Sequence, residues 1–374
     1  MKVVILSDYS IDTPYGGLQT HVYHLSRSIS KESVETHVIT FSDKNEDFKM
    51  NNLNIHLIKR SLKIPRLFTI PFDTKNVINK IKEINPDIVH VHGTHYPYSY
   101  ISGAIPEKYS VLLTVHGIMA IEYKFNERFN YLGGFFNYLF EKYAFSRVKN
   151  IIACSQIMKE NISKLSKAEI YVIPNGIDLS HLCGEIKLLK SIKSPSIFYI
   201  GLLENIKGVD ILIKAMKIIK KEIPDIHLYI AGEGSQKGNL IKLVKKLDLD
   251  KNIDFLGYIS GEKKYSYFKA VDLCVVPSRY ESFGIVILEA MACGKPVVAS
   301  NVGNIPSLLT DDIGFKFESD NEKDLAEKII KLLKNQDLRD EMILNAKEKV
   351  KNFEWDKIAA KTLDIYKEIK GKYN

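Results

Sequence analysis

The sequence has few cysteines and no long hydrophobic run, and both shortages limit what the protein can be. Its 374 residues include four cysteines, scattered without a CxxC pair, which is typical of a protein from a reducing cytoplasm. No stretch approaches the roughly 18 apolar residues that a transmembrane helix needs. The start, MKVVILSDYS, has four apolar residues in a row before it turns polar. We therefore predict a first β-strand there rather than a signal peptide.

The chain also lacks a nucleic-acid-binding motif, although it is basic. Its net charge is +8, and residues 51–200 carry 19 Lys and Arg against 11 Asp and Glu. Residues 201–374 are nearly balanced, with 29 against 27. A basic surface attracts nucleic acid, anionic lipid or a phosphorylated substrate. Without an RNA- or DNA-binding motif, we expect no nucleic-acid partner.

Short β-branched runs alternate with amphipathic segments, the pattern of a doubly wound parallel sheet. The pattern stops at the polar stretch 184–195, which we predict to be a linker, and then restarts. Residues 321–370 are predicted to contain helices only. The predicted strands are residues 3–7, 87–93, 111–117, 150–155 and 170–176 before the linker, and 196–201, 226–234, 252–259, 273–278 and 296–300 after it.

Three strand-to-helix turns have residues suited to binding an anion. Gly16 and Gly17 open a helix after the first strand, without the spacing of a dinucleotide fingerprint. Lys207 stands at a helix start, where a bound anion would offset its repulsion from the helix dipole. In the third turn the free N–H groups of Phe283, Gly284 and Ile285 would form an anion site. The first two turns also have an ordinary explanation: a loop that needs glycine for positive φ, and a solvated surface lysine.

Glu289 lies in an apolar helical stretch, GIVILEAMACG, and Glu281 stands eight residues earlier. An unpaired buried carboxylate costs several kcal/mol, so Glu289 needs a partner. One candidate is a ribose, whose two hydroxyls a carboxylate accepts in bidentate fashion, while Glu281 holds a second polyol. The alternative is an ion pair with a lysine of a neighbouring element, such as Lys295.

The segment PSRYESFGIVILEAMACGKPVVAS resembles the E-x7-E segment of the family 4 retaining glycosyltransferases (glycosyl transferases group 1). The resemblance implies the GT-B fold, α/β with two Rossmann-like doubly wound domains facing a central cleft. Residues 1–184 with the C-terminal helix 354–374 would be the acceptor side, and residues 194–353 the nucleotide-sugar side. Other family motifs follow in order along nearly the whole chain: Gly16-Gly17 with HV at 21–22, DIVHVHG, TVHG, IPNGID, KGVD, AGEG, LGYI and the terminal WDKIAAKTLDIYKEI.

The resemblance also implies roles for particular residues. Glu289 would hold the ribose and Glu281 the transferred sugar, with help from the backbone of Phe283 and Gly284. The diphosphate would meet Lys207 and the Gly16–Gly17 turn, and His116 would face the donor sugar from the acceptor side. The base would lie near Gly257 and Tyr258. The reaction implied is retaining transfer of a hexosyl unit to a glycan or lipid-linked acceptor, with no cofactor and no metal ion.

Two departures from the family pattern bear on the donor. Leu202 occupies a position where the family usually has an arginine for the diphosphate. The two alternatives are that Lys207 suffices without it and that Arg279 replaces it. Asn304 and Ser307 stand where the family tends to have Gly and Glu. Two other functions therefore stay open: a non-hydrolysing nucleotide-sugar epimerase, which would need dedicated proton-transfer residues, and a degenerate nucleotide-sugar-binding protein without turnover.

A histidine-rich stretch and an aromatic segment are two further patterns in the sequence. The stretch HVHGTHY offers His90, His92 and His95, of which His90 and His92 share one strand face, but no fourth ligand is evident, and we assign no metal site. Residues 121–149 are flanked by basic residues and contain ten Phe or Tyr between 123 and 145. Such rings are usually core, yet with residues 59–72 they suggest contact with an anionic membrane. We thus predict a cytoplasmic enzyme that associates peripherally with the cytoplasmic face of a membrane.

Overall fold

The computed structural model describes residues 1–9, 16–60, 70–122, 131–179 and 192–373. The chain divides into two compact units, Met1–Gly176 with Trp355–Asn374, and Ile177–Glu354. Most of the predicted linker lies outside the described residues. No helix in the described ranges combines the length and the apolar character needed to cross a bilayer.

The first unit contains an eight-stranded sheet in the order β3-β4-β2-β1-β5-β6-β7-β8. Neighbouring strands are parallel except β3, which pairs antiparallel with β4. The strands are β1 (Lys2–Leu6), β2 (Glu35–Ser42), β3 (Glu46–Met50), β4 (Leu53–Lys59), β5 (Ile88–His92), β6 (Ser110–Val115), β7 (Asn150–Ala153) and β8 (Glu169–Val172). The helices are α1 (Gly17–Ser30), α2 (Ile70–Ile84), α3 (Tyr98–Ala104), α4 (Met119–Glu122), α5 (Tyr131–Arg147) and α6 (Gln156–Ser163).

The second unit contains a six-stranded parallel sheet in the order β11-β10-β9-β12-β13-β14. Its strands are β9 (Ser196–Ile200), β10 (His227–Ala231), β11 (Ile253–Gly257), β12 (Leu273–Val276), β13 (Val297–Ser300) and β14 (Gly314–Phe317). Its helices are α7 (Val209–Glu222), α8 (Lys237–Lys246), α9 (Gly261–Ala270), α10 (Ile285–Ala292), α11 (Ile305–Leu308), α12 (Glu322–Lys334) and α13 (Gln336–Val350).

All ten predicted strands are confirmed, within a few residues at each end. Most of them have a run of β-branched and apolar residues that the sheet buries on both faces, whereas the edge strands β8 and β11 are only partly buried. The sequence analysis missed β2, β3, β4 and β14. Strand β3, EDFKM, has mostly charged or part-exposed residues, and its strand conformation depends on pairing with β4 at the sheet edge.

The last helix, α14 (Trp355–Tyr373), packs on α1 and belongs to the first unit. Trp355 is buried in the core of this unit. Deeper in the helix, the Tyr366 hydroxyl lies 2.6 Å from Nδ1 of His90 on β5. The other nitrogen of His90 lies 2.6 Å from the Thr114 hydroxyl on β6. A buried chain of hydrogen bonds therefore joins the C-terminal helix to two central strands.

We predict that Tyr366→Phe destabilises the first unit by about 1–3 kcal/mol, because a buried nitrogen of His90 then loses its partner. Urea denaturation followed by fluorescence measures this directly, since Trp355 is the only tryptophan and lies in the same unit. Tyr171→Phe is the matched control. Its hydroxyl bonds Glu368 at the surface, and its removal should cost less than about 0.5 kcal/mol. Equal losses for both variants would contradict the prediction.

Candidate functional site

The turn between β12 and α10 is built to leave backbone N–H groups free. Gly284 caps α10 with φ 100°, a left-handed conformation that glycine adopts at least cost. Among the described residues, the N–H groups of Phe283, Gly284 and Ile285 donate no hydrogen bond. Free N–H groups at the start of a helix attract anions, because the helix dipole is positive there. The turn therefore has the free N–H groups on which the predicted anion site depends.

Lys207 and Glu281, which the sequence places 74 residues apart, meet beside this turn. Nζ of Lys207 lies 2.8 Å from Oε2 of Glu281, and the Ser278 hydroxyl donates to the same oxygen at 3.3 Å. Gly208 makes the approach possible, since a Cβ there would lie 2.0 Å from the carbonyl oxygen of Pro277. The two loops thus hold a cation and a carboxylate together at the carboxyl edge of the sheet.

Glu289 has an internal partner, which is Lys264 on α9. Nζ of Lys264 donates to Oε1 of Glu289 at 2.7 Å, and both side chains are mostly buried. Burial by itself lowers the pKa of Lys264, but the charge of Glu289 outweighs it, so the pKa is raised. In the described parts of the chain, no donor reaches the other carboxylate oxygen, Oε2. The suggested partner Lys295 was wrong, although the expectation of a lysine was right.

Arg279 does not replace the arginine that is missing at Leu202. Its guanidinium forms a bidentate ion pair with Asp210 at 2.9 and 3.0 Å. It also donates to Asp320 at 2.8 Å and to the carbonyl oxygen of Asn205 at 2.6 Å. These bonds fix the first turn of α7 and the loop before it. Arg279 is therefore a structural residue, while the Leu202 side chain is exposed.

The predicted base-binding residues lie at the neighbouring strand ends. Gly257 ends β11, and its carbonyl oxygen accepts from the N–H of Gly232 after β10 at 2.8 Å. Tyr258 is half exposed. Asn304 follows β13, nearer the other edge of the sheet. Its backbone N–H donates to the carbonyl oxygen of Glu281 at 3.1 Å, and its side-chain amide donates to the carbonyl oxygen of Phe283 at 3.2 Å. Asn304 therefore supports the anion-binding turn.

In the first unit, Gly16 precedes α1 and Gly17 begins it. His116 follows β6 and belongs to a histidine cluster with His21 and His92. Burial lowers the pKa of His21 to about 4, and of His92 and His116 well below the usual value for histidine. All three imidazoles are therefore neutral at pH 7. Of the three histidines considered from the sequence, His90, His92 and His95, His92 alone belongs to this cluster.

The sequence analysis missed three residues at these sites: Lys264, His21 and Asp210. Lys264 is one of two adjacent lysines in GEKKYSY, and only its helical position separates it from the exposed Lys263. The helical periodicity of this segment is the signal that marks Lys264. Tyr265, Ser266 and Phe268 lie on the buried face of the helix, and Lys264 borders that face. His21 was noted only as part of a motif, and nothing local marks it as a neighbour of His116.

Comparison with known families agrees with this geometry. Residues 15–181 match the family model described as Glycosyltransferase Family 4, and residues 186–349 match the model of Glycosyl transferases group 1. An uncharacterised glycosyltransferase of Methanocaldococcus jannaschii is 31% identical over 99% of both chains. The chain belongs to this family of glycosyltransferases.

More distant relatives are named for their substrates. The phosphatidyl-myo-inositol mannosyltransferase of Mycolicibacterium smegmatis is 24% identical over 99% of this chain and 95% of its own. Among solved structures, a sucrose-phosphate synthase of Thermosynechococcus elongatus has a TM-score of 0.83 at 20% identity, covering 98% of both chains. Anabaena HepE, solved with UDP and glucose, has a TM-score of 0.78 at 19% identity, covering 98% and 100%. These likenesses confirm the GT-B fold.

Proposed function

We propose that this glycosyltransferase is a retaining enzyme that moves a hexosyl unit from a nucleotide-diphosphate sugar to a glycan or lipid-linked acceptor. The observation that carries the proposal is the Lys207–Glu281 ion pair beside the free N–H groups that start α10. This arrangement combines an anion site with a carboxylate, as a diphosphate joined to a sugar requires. The transfer would belong to glycan biosynthesis (EC class 2.4).

The donor-binding residues have complementary roles in this proposal. Lys207 has three N–H donors and gives one to Glu281, so two are available for phosphate oxygens. Glu281 accepts from hydroxyls of the sugar, and Glu289 accepts from the ribose through its open Oε2. Lys264 holds the Glu289 carboxylate in place by its bond to Oε1. The base rests near Gly257 and Tyr258, and the Gly16–Gly17 turn meets the diphosphate.

The reaction then needs positioning and charge stabilisation rather than an enzymic nucleophile. The acceptor oxygen bonds to the anomeric carbon on the face that the diphosphate leaves. The bond between the anomeric carbon and the phosphate oxygen breaks. The proton of the acceptor hydroxyl passes to the leaving phosphate oxygen. Lys207 and the N–H groups of α10 stabilise the charge that develops there. His116 is proposed to contact the donor sugar, and no metal ion or cofactor takes part.

The names of relatives favour an inositol-containing or other lipid-linked acceptor. The mannosyltransferase of Mycolicibacterium smegmatis is named for phosphatidyl-myo-inositol. A relative in Paenarthrobacter aurescens, 31% identical over 53% of this chain, is a D-inositol 3-phosphate glycosyltransferase. HepE was solved with UDP, which makes UDP-sugars the first donors to test.

We predict that one of the UDP-, GDP- or ADP-sugars raises the melting temperature of the wild type by several degrees. Glu289→Gln should abolish the shift, because the amide offers one acceptor in place of a charged pair of oxygens. Lys264→Met should reduce it, because the carboxylate loses the partner that orients it. The measurement is thermal unfolding with and without each nucleotide sugar.

Lys263→Met is the matched control, since Lys263 is adjacent in sequence but exposed, and it should respond like the wild type. A Glu289→Gln variant that keeps the full shift would contradict the assignment of the ribose. If no nucleotide stabilises the wild type and Glu289→Gln merely melts lower, the Lys264–Glu289 pair is structural only.

The stereochemistry provides a second test. With the donor identified, ¹H NMR of transfer to glycerol or a simple alkyl glycoside should show the donor's anomeric configuration in the product. Addition of EDTA should not lower the rate. An inverted product would refute retention, and a rate that collapses with EDTA would refute metal independence. An epimerised nucleotide sugar without transfer would identify an epimerase, and binding without turnover a degenerate protein.

We also propose that the first unit rests on an anionic membrane through helix α5. Residues 61–69 and 123–130, on which the sequence prediction partly depends, lie outside the described residues. Phe135 and Leu139 are exposed on α5, and Lys142 follows one turn later on the same face. Phe145, in contrast, is buried. Apolar residues followed by basic ones suit the headgroup boundary of an anionic bilayer.

We predict that the protein floats with vesicles of phosphatidylglycerol and phosphatidylcholine in a density gradient. The double variant Phe135→Ser, Leu139→Ser should bind about tenfold less, since two apolar side chains no longer enter the bilayer. Leu344→Ser, which changes an exposed leucine of the second unit, is the control. Wild-type protein that stays out of the lipid fraction would reject membrane contact.

A further inference from the structure

The histidine cluster of the first unit is formed by three separate elements of the fold. His21 lies on α1, His92 ends β5, and His116 follows β6. One ring nitrogen from each lies within 4.8 Å of the other two. Nδ1 of His92 and Nε2 of His116 are 3.3 Å apart. Three imidazoles from separate elements therefore bring one nitrogen each close together.

The spacing suits a zinc ion. Zinc binds histidine nitrogens at about 2.0–2.1 Å with tetrahedral geometry, so two ligand nitrogens are about 3.3 Å apart. The His92–His116 separation already has this value. The ring nitrogen of His21 lies within 4.8 Å of the other two, so it would approach by up to about 1.5 Å when zinc binds.

The hydrogen bonds around the cluster orient the rings as ligands. Nδ1 of His21 lies 2.9 Å from the carbonyl oxygen of the Asn175 side chain. That oxygen only accepts, so Nδ1 carries the hydrogen and Nε2 keeps a free lone pair. A second bond of this kind is typical of histidines that bind metals. His92 has no such second bond: its Nδ1 faces His116, and its Nε2 is buried without a hydrogen-bond partner within the described ranges.

His90 does not belong to the set, although its ring lies 4.0 Å from that of His92 between centroids. Both of its nitrogens are already bonded, to Tyr366 and to Thr114. The hydrogen bonds of the fold therefore separate a structural histidine from the three that remain available.

We propose that His21, His92 and His116 form a binding site for a zinc ion, with a fourth position open to water or another ligand. Three histidines with an open position are a recurring zinc ligand set. Because His116 is the residue assigned to the donor sugar, a bound zinc ion would compete with that sugar and inhibit transfer. The metal would thus be a regulator and not a participant in the reaction.

The test uses the full chain without an affinity tag, stripped of metal by a chelator and then dialysed. Isothermal titration with zinc chloride should show one strong site per chain. His21→Gln and His116→Gln should each weaken binding at least tenfold. Titration with Co²⁺ should give the intense visible absorption of a tetrahedral site in the wild type and lose it in both variants.

His24→Gln is the matched control, since His24 lies on the same helix and stacks on Trp355 outside the cluster. It should bind zinc like the wild type. Circular dichroism and the melting temperature verify that each variant is folded. Folded His21→Gln and His116→Gln variants that bind zinc as tightly as wild type would overturn the proposal, as would a wild type without a stoichiometric site. Neither outcome bears on donor binding, which the nucleotide experiments measure separately.

Discussion

An ionised carboxylate within a helix as apolar as α10 must be neutralised, because the interior solvates charge poorly and an unpaired ion there costs several kcal/mol. Glu289 meets this constraint through Lys264, which leaves one carboxylate oxygen open. The pair ties α9 to α10 and determines where a polar group can enter the second unit. Charge neutralisation also occurs just before the N-terminus of α10, where Lys207 forms an ion pair with Glu281. Both carboxylates are therefore held ready by lysines from other elements.

The loops around these pairs are stiffened by polar contacts that do not face a ligand. Arg279 joins Asp210, Asp320 and the backbone of Asn205, and Asn304 bonds the backbone on both sides of Ser282. Preorganised N–H groups stabilise developing charge without a reorganisation cost during the reaction. In the proposed function, Lys207 and these N–H groups would take the place of the arginine that is missing at Leu202.

The two units differ in the charge state of their clustered polar residues. The second unit holds ionised pairs at the carboxyl edge of its sheet. The first unit gathers His21, His92 and His116 as neutral rings, because burial lowers the pKa of each. Neutral imidazoles hydrogen-bond hydroxyl groups and also ligate metal ions. The cluster is therefore compatible with the proposed contact to a sugar and with the proposed zinc site, which would exclude each other.

Local pattern was sufficient for ten of the fourteen strands in the described residues and for the turn before α10, since β-branched runs and a glycine at that turn act within a few residues. Edge strand β3 was not predictable in this way, because pairing with β4 stabilises it more than its own residues do. The motif order along the chain indicated the family, but not the partners of its charges. Lys264 and not Lys295 meets Glu289, Arg279 turns to Asp210, and His21 joins His116. Electrostatic and hydrogen-bond partners are chosen by distance in space, which falls within reach only when the strands and helices have packed.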